Sequence, residues 1–198
     1  MPPRLRRARH MNISQIKADA RKVGLARRKA AHDVRGDAAA RATAHLLDYI
    51  STLGEGLVIS GYMPIQTEID VLPAMKALHA RGHRICVPVI VRAGLPLSFR
   101  EWTPTCEMTS GPFGAAVPVA GDWLAPELLI VPLVTFDTKG FRLGYGGGFY
   151  DRSLELLRKK KSTLAVGYAY SLQMGDVPVE PTDQRLDAMV TEVGARIF

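Results

Sequence analysis

Cysteine is almost missing from this chain, with Cys86 and Cys106 as its only two. They are too few for a disulfide framework and too isolated for a zinc site, so a reducing cytoplasm is the expected compartment. Histidine is confined to the first half, at His10, His32, His45, His79 and His83. No imidazole therefore accompanies the motifs of the second half. That disfavours Ser-His-Asp and Cys-His hydrolases, and equally metal centres built on His/Cys clusters. No apolar run approaches the length of a membrane-spanning helix, since even Leu128–Val134 is far too short. The basic start is followed by no apolar stretch, which argues against a secretory signal. Acid is scarce at the beginning. Residues 1–41 carry 12 Lys or Arg against 3 Asp, a surplus of 9, and the whole chain is +7, so the remainder is −2. A basic arm can bind nucleic acid. This one lacks interleaved aromatics and matches no helix-turn-helix or zinc pattern, so nucleic acid is the less favoured partner. Arg4, Arg6, Arg7 and Arg9 read as a basic tail over residues 1–12.

What is present suits one α/β domain over residues 13–198. At 47% apolar composition, 198 residues can bury a single good core. Strand-like runs alternate with helix-like segments, which predicts a mostly parallel sheet flanked by helices. The chain is organised around Leu128–Arg152, LLIVPLVTFDTKGFRLGYGGGFYDR. It opens as a buried strand, turns at Asp137–Gly140, and passes Arg142 into a loop of Gly144, Tyr145, Gly146, Gly147 and Gly148. Phe149-Tyr150-Asp151-Arg152 then starts a helix. Strand, glycine loop and helix start form the layout of a phosphate cradle, where backbone amides approach an anion closely. Four glycines also suit a flexible tip, and neither a Walker A nor a G-x-G-x-x-G pattern is met. Arg142 before the loop and Asp151 after it favour phosphate, and a carboxylate there suits a magnesium ion that accompanies phosphates.

Elsewhere, Ser14 is the expected N-cap of a helix to about His32, with Ile16, Ala20, Val23, Ala26 and Ala30 as its apolar stripe. Lys17 and Arg21 lie four apart and project from one face, either as a solvated charged surface or as a grip on a phosphate chain. A second helix is expected over Asp37 to about Leu53, with Ala40, Ala44, Leu47 and Ile50 inward. Strands are expected at Leu57–Tyr62, Arg84–Ile90, Leu97–Trp102, Ser162–Ala169 and Ala188–Glu192. Glu68 is expected at the start of the third helix, and Thr103–Asp122 as irregular loop.

The block from Arg142 to Arg152, with Val131-Pro132, Phe136-Asp137 and Gly140 before it, resembles the signature of 5-formyltetrahydrofolate cyclo-ligases, also called methenyltetrahydrofolate synthetases. Val177–Asp187 resembles that family's closing motif, and the likeness runs from about Ile16 to Glu192. It implies a three-layer fold related to ribose-phosphate isomerase and CoA-transferase folds. It also implies ATP-dependent conversion of 5-formyltetrahydrofolate to 5,10-methenyltetrahydrofolate, releasing ADP and phosphate, by phosphorylation of the formyl oxygen and ring closure. By resemblance Lys17, Arg21, Arg142, Leu143, Gly144, Tyr145, Gly146, Gly147, Gly148, Phe149 and Tyr150 meet ATP. Met63, Glu68, Phe113, Tyr145, Gly148 and Phe149 meet the folate, and Asp151 and Asp183 hold Mg2+. Lys17, Arg142 and Tyr150 are the implied catalytic groups, in a cytoplasmic monomer. Two departures stand out: Gly147 where some members carry lysine, and Thr182 where bacterial members often carry histidine. A catalytically silent relative that senses nucleotide or folate remains the rival reading.

Overall fold

The computed structural model describes residues 12–198, apart from the side chain of Phe113. The expected basic tail spans residues 1–12, of which 1–11 lie outside the described residues. The first helix, α1 (Ile13–Asp33), is capped by Asn12, whose side chain accepts from the Gln15 amide, and not by Ser14. After it come α2 (Ala38–Ser51), β1 (Val58–Ser60), α3 (Leu72–Ala80), β2 (Arg84–Val89) and β3 (Ser98–Glu101). The span expected to be irregular holds a small hairpin, β4 (Met108–Ser110) with β5 (Ala116–Pro118), and then β6 (Trp123–Leu124). β7 (Leu128–Val131) leads into a second hairpin, β8 (Thr135–Phe136) with β9 (Arg142–Leu143), and the glycine loop connects β9 to α4 (Phe149–Lys160). The chain finishes with β10 (Leu164–Tyr168), β11 (Ala188–Thr191) and β12 (Gly194–Ile197).

One eight-stranded sheet has the order β12-β11-β10-β7-β1-β2-β3-β6. Its five central strands, β11 to β2, are parallel, and β12, β3 and β6 add antiparallel edges. Alternation along the central strand explains the layers. Leu128 and Ile130 face one core, with Ile59, Val166, Leu46, Ile50 and Met75. Leu129 and Val131 face the other, with Ala165, Met189, Leu154 and Leu157. α2 and α3 therefore cover one face and α4 the other, so both faces of the parallel centre are buried, as such sheets require.

Two helical faces differ from expectation. α1 buries Lys17, Gly24, Arg28 and Ala31, while Ile16 and Val23 are exposed. α2 buries Ala38, Ala42, Leu46 and Ile50, so Ile50 faces inward as expected and Leu47 packs at the edge of the core, while Ala40 and Ala44 are exposed. In α2 the alanines fit either face, so only Ile50 was diagnostic. In α1 cations are buried because the helix faces charged partners, which the hydrophobic stripe could not reveal.

Candidate active site

The buried face of α1 runs Lys17, Arg21, Gly24, Arg28, Ala31, a series of steps of four and three that stays on one side of a helix. Gly24 lets this face approach the segment between β7 and β8, because a Cβ there would stand 2.8 Å from Val134 Cγ1 and 2.9 Å from the Val134 carbonyl. Held that close, the three cations reach three different parts of the chain.

Lys17 is 7% exposed. Its Nζ donates to Asp183 Oδ1 at 2.9 Å and Oδ2 at 2.6 Å, and lies 2.8 Å from Glu180 Oε2. Burial pulls its pKa down, but Asp183 and Glu180 together outweigh burial and hold it above the ordinary value. The Glu180 amide also donates to Asp183 Oδ2 at 2.8 Å, which closes the turn carrying both acids. One residue on, the Gln184 amide donates to Asp151 Oδ1 at 2.9 Å, and Arg142 donates to both the Gln184 carbonyl and Asp151 Oδ1. Arg142 is buried, and desolvation lowers its pKa against the opposing pull of Asp151. The two carboxylates expected to share an ion are thus joined through Gln184, each with a cation against it.

Arg21 meets the glycine loop, its Nε donating to the Gly144 carbonyl at 2.9 Å. Its guanidinium carbon would be 3.3 Å from a Cβ on Gly146, which has φ +102°. Gly148, at φ +65°, is the N-cap of α4. Both positions therefore need glycine. A side chain at Gly147 would meet the Phe149 ring at 2.7 Å. This ring fills the space from which a loop lysine would project. Arg152 lies over the same ring and donates to the Gly147 carbonyl at 2.6 Å. Leu143 is buried in β9 with its carbonyl accepting from Val134, so it anchors the loop.

Arg28, 1% exposed, reaches the segment after β1. Nε donates to Thr67 Oγ1 at 3.0 Å, Nη2 donates to Tyr145 Oη at 2.6 Å, and Nη1 lies 3.6 Å from Glu68 Oε1. Glu68 is not at a helix start. It sits in the loop four residues before α3, buried, with Oε2 accepting from the Ile65 amide at 3.0 Å. Burial raises its pKa, opposed by that amide, Arg28 and Tyr145. Met63, half-buried, packs on the adjoining core. Tyr150 Oη is buried without a hydrogen-bond partner. Burial raises its pKa, Glu68 adds to the rise and Arg142 opposes it. The side chain of Phe113 lies outside the described residues.

Lys17, Arg21, Arg142, Asp151 and Asp183 are therefore gathered around the loop and its neighbouring turn, and Glu68 lies beside Tyr145, while Met63 is placed only against the core. Cavities of about 330 Å3, beside α4 and Trp123, and about 240 Å3, beside Met174 and Arg196, lie elsewhere and include none of them. Sequence reasoning missed Arg28, although its spacing of 11 from Lys17 is three helical turns. It also gave no role to Glu180. Among the described residues no three His, Cys, Asp or Glu side chains gather as a closed metal site. Asp151 and Asp183 offer oxygen only, and a magnesium ion bound by one or two carboxylates and completed by phosphate and water fits that donor set.

A parallel α/β sheet with a glycine loop gripped by arginine, and with buried lysine–aspartate and arginine–aspartate pairs beside it, defines an enzyme built to handle an anionic substrate. The chain belongs to the 5-formyltetrahydrofolate cyclo-ligase family, whose model matches residues 13–192. It is 36% identical over 141 residues to the 5-formyltetrahydrofolate cyclo-ligase of Escherichia coli K12, spanning 67% of this chain and 76% of that one. The Haemophilus influenzae 5-formyltetrahydrofolate cyclo-ligase is 33% identical over 132 residues, 63% of this chain and 70% of its own. The NMR structure of Aquifex aeolicus 5,10-methenyltetrahydrofolate synthetase matches with a TM-score of 0.74 at 28% identity, covering 92% of each chain.

Proposed function

We propose that this enzyme converts 5-formyltetrahydrofolate and ATP to 5,10-methenyltetrahydrofolate, ADP and phosphate. The observation that carries the reading is the junction at Gln184, which ties Lys17–Asp183 to Arg142–Asp151 beside a glycine loop held by Arg21. Phosphoryl transfer is mostly positioning and charge neutralisation, and these are the groups it uses.

In the proposed sequence, the amides of Gly144–Gly148 and the N-terminus of α4 bind the phosphates. Lys17 and Arg21 exchange their present carboxylate and carbonyl partners for phosphate oxygens. Arg142 stays with Asp151 and Gln184 and sets their position. Asp151 and Asp183 hold Mg2+, which when bound neutralises charge on the phosphates. Glu68 accepts from N–H groups of the folate, Met63 packs on its ring, and Tyr150 donates its unpartnered hydroxyl to the formyl end. Tyr145 and Phe149 close the side shared by both substrates. The formyl oxygen attacks the terminal phosphorus and ADP leaves. The second folate nitrogen then adds to the formyl carbon, loses its proton, and phosphate departs with the former formyl oxygen.

The test is the absorbance of methenyl product from purified protein, 5-formyltetrahydrofolate and magnesium, with and without ATP. Product only with ATP, matched by ADP and phosphate, is expected. Binding of both substrates without product would mark a silent relative, and product without ATP would refute the phosphoryl step.

A further inference from the structure

Arg28 is a guanidinium with 1% exposure, facing the Glu68 carboxylate at ion-pair distance but without a hydrogen bond to it. Its fork is divided: Nε goes to Thr67 Oγ1, Nη2 to Tyr145 Oη, and Nη1 has no hydrogen-bond partner, with Glu68 Oε1 at 3.6 Å. Removing a cation from water is costly unless its charge is answered. Glu68 is the answering charge, yet the arginine does not close a tight pair with it. A bidentate fork would occupy both carboxylate oxygens. Here one oxygen takes the Ile65 amide, and the carboxylate also takes a hydrogen bond from Tyr145, whose hydroxyl Arg28 holds.

We propose that Arg28 is a positioning residue for the folate side of the site: from its buried place between Thr67, Tyr145 and Glu68 it holds Tyr145 and its own charge against Glu68, so that the carboxyl is aimed at the N–H groups of the substrate. The proposal rests on the folate reading given above. The groups facing Glu68 are Arg28 from α1, Tyr145 from the glycine loop, Tyr150 from α4, and Tyr62 and the Ile65 amide from its own loop. Arg28 is the only permanent charge of these, and the three phenols cannot replace it. Burial alone raises the Glu68 pKa and Arg28 opposes that rise. Without Arg28 the carboxyl therefore takes up its proton at higher pH, and the acid limb of folate affinity moves up with it. Tyr145 shares the task, because its hydroxyl is fixed by Arg28 and itself lowers the Glu68 pKa.

The experiment measures 5-formyltetrahydrofolate binding without nucleotide from pH 5 to 9, and binding of a non-hydrolysable ATP analogue with magnesium in parallel. Arg28→Gln is expected to weaken folate binding about tenfold at neutral pH and move the acid limb up by about one unit, with analogue binding changed less than about threefold. Arg28→Lys, which restores the charge, returns the limb toward the wild-type position. In a Glu68→Gln background, replacing Arg28 no longer moves the limb. Should Arg28→Gln not fold, Tyr145→Phe carries the test through a smaller upward shift. A loss equal at every pH, an equal loss of analogue binding, or an unmoved limb in Tyr145→Phe overturns the proposal. Wild-type protein that binds no 5-formyltetrahydrofolate would overturn the folate reading itself and this inference with it.

Discussion

Lys17 and Arg142 are both buried cations paired with aspartate, but their other partners differ, and replacing them should have different consequences. Lys17 faces Asp183 and Glu180, and the Glu180 side chain is 41% exposed, so water can answer part of the charge left behind. Lys17→Ala should fold, with turnover lowered by about 2–4 kcal/mol in the barrier, or roughly 30- to 1000-fold. Steady-state rates and a thermal melt on the same sample check this, and a wild-type rate would remove Lys17 from the chemistry. Arg142 instead satisfies the carbonyl of Gln184 as well as Asp151. Arg142→Ala leaves a part-buried acceptor and a carboxylate without their cation. It should cost about 3 kcal/mol of stability in denaturant unfolding in addition to turnover. For Asp151→Asn, the Arg142 and Gln184 contacts can persist while the negative charge is lost. The magnesium titration of activity should then shift to higher concentration, and an unmoved titration would exclude Asp151 as a ligand.

Among the elements, α1 separates what local sequence reveals from what it conceals. Its existence and its Lys17/Arg21 pair were legible from spacing, because both are properties of one helix. Its orientation was not: Ile16 and Val23 mark an apolar stripe that faces solvent, while the buried stripe is cationic and is explained only by acids and carbonyls far along the chain. The glycine loop was legible for the opposite reason, since strand, loop and helix start are contiguous. β12 and the β4–β5 hairpin escaped notice because they are short and mostly exposed or half-buried, and so carry little alternation. Gly24 turns this contrast into a prediction. In an exposed helix interior, Gly→Ala stabilises by about 1 kcal/mol. Here the new methyl meets Val134 at 2.8 Å and must push α1 away from the segment between β7 and β8. Gly24→Ala should lower stability by about 1–3 kcal/mol and reduce turnover by displacing Lys17 and Arg21. Val23→Ala, one residue away on the exposed side, should do neither. A melting temperature for Gly24→Ala at or above wild type would refute the close approach.

At the scale of the whole molecule, the parallel centre of the sheet was readable because its strands are continuous apolar runs buried on both faces, as Leu128–Val131 shows. The meeting of residues 17, 151 and 183 was not readable from composition or period. It came from resemblance, and the fold supplies its physical basis by bringing the starts of α1 and α4 to the turn before β11. Among the described residues, the contacts of that assembly run from Lys17 to Gln184. α1 begins beside Asn12, whose side chain accepts from the Gln15 amide. The basic start of the sequence should therefore be dispensable for chemistry. A chain beginning at Met11 loses four arginines and no acid, which takes the net charge from +7 to +3. At physiological salt, charges more than about 8 Å from the site are largely screened, so kcat and the denaturation midpoint should match the full chain. At low ionic strength kcat/KM for ATP should fall, because a less positive protein attracts a polyanion more slowly. The two proteins should converge as salt is added. A loss of kcat that persists at physiological salt would show that the arm contributes a group to the site. Salt-sensitive binding of a generic oligonucleotide that disappears with the arm would instead identify it as a nucleic-acid contact.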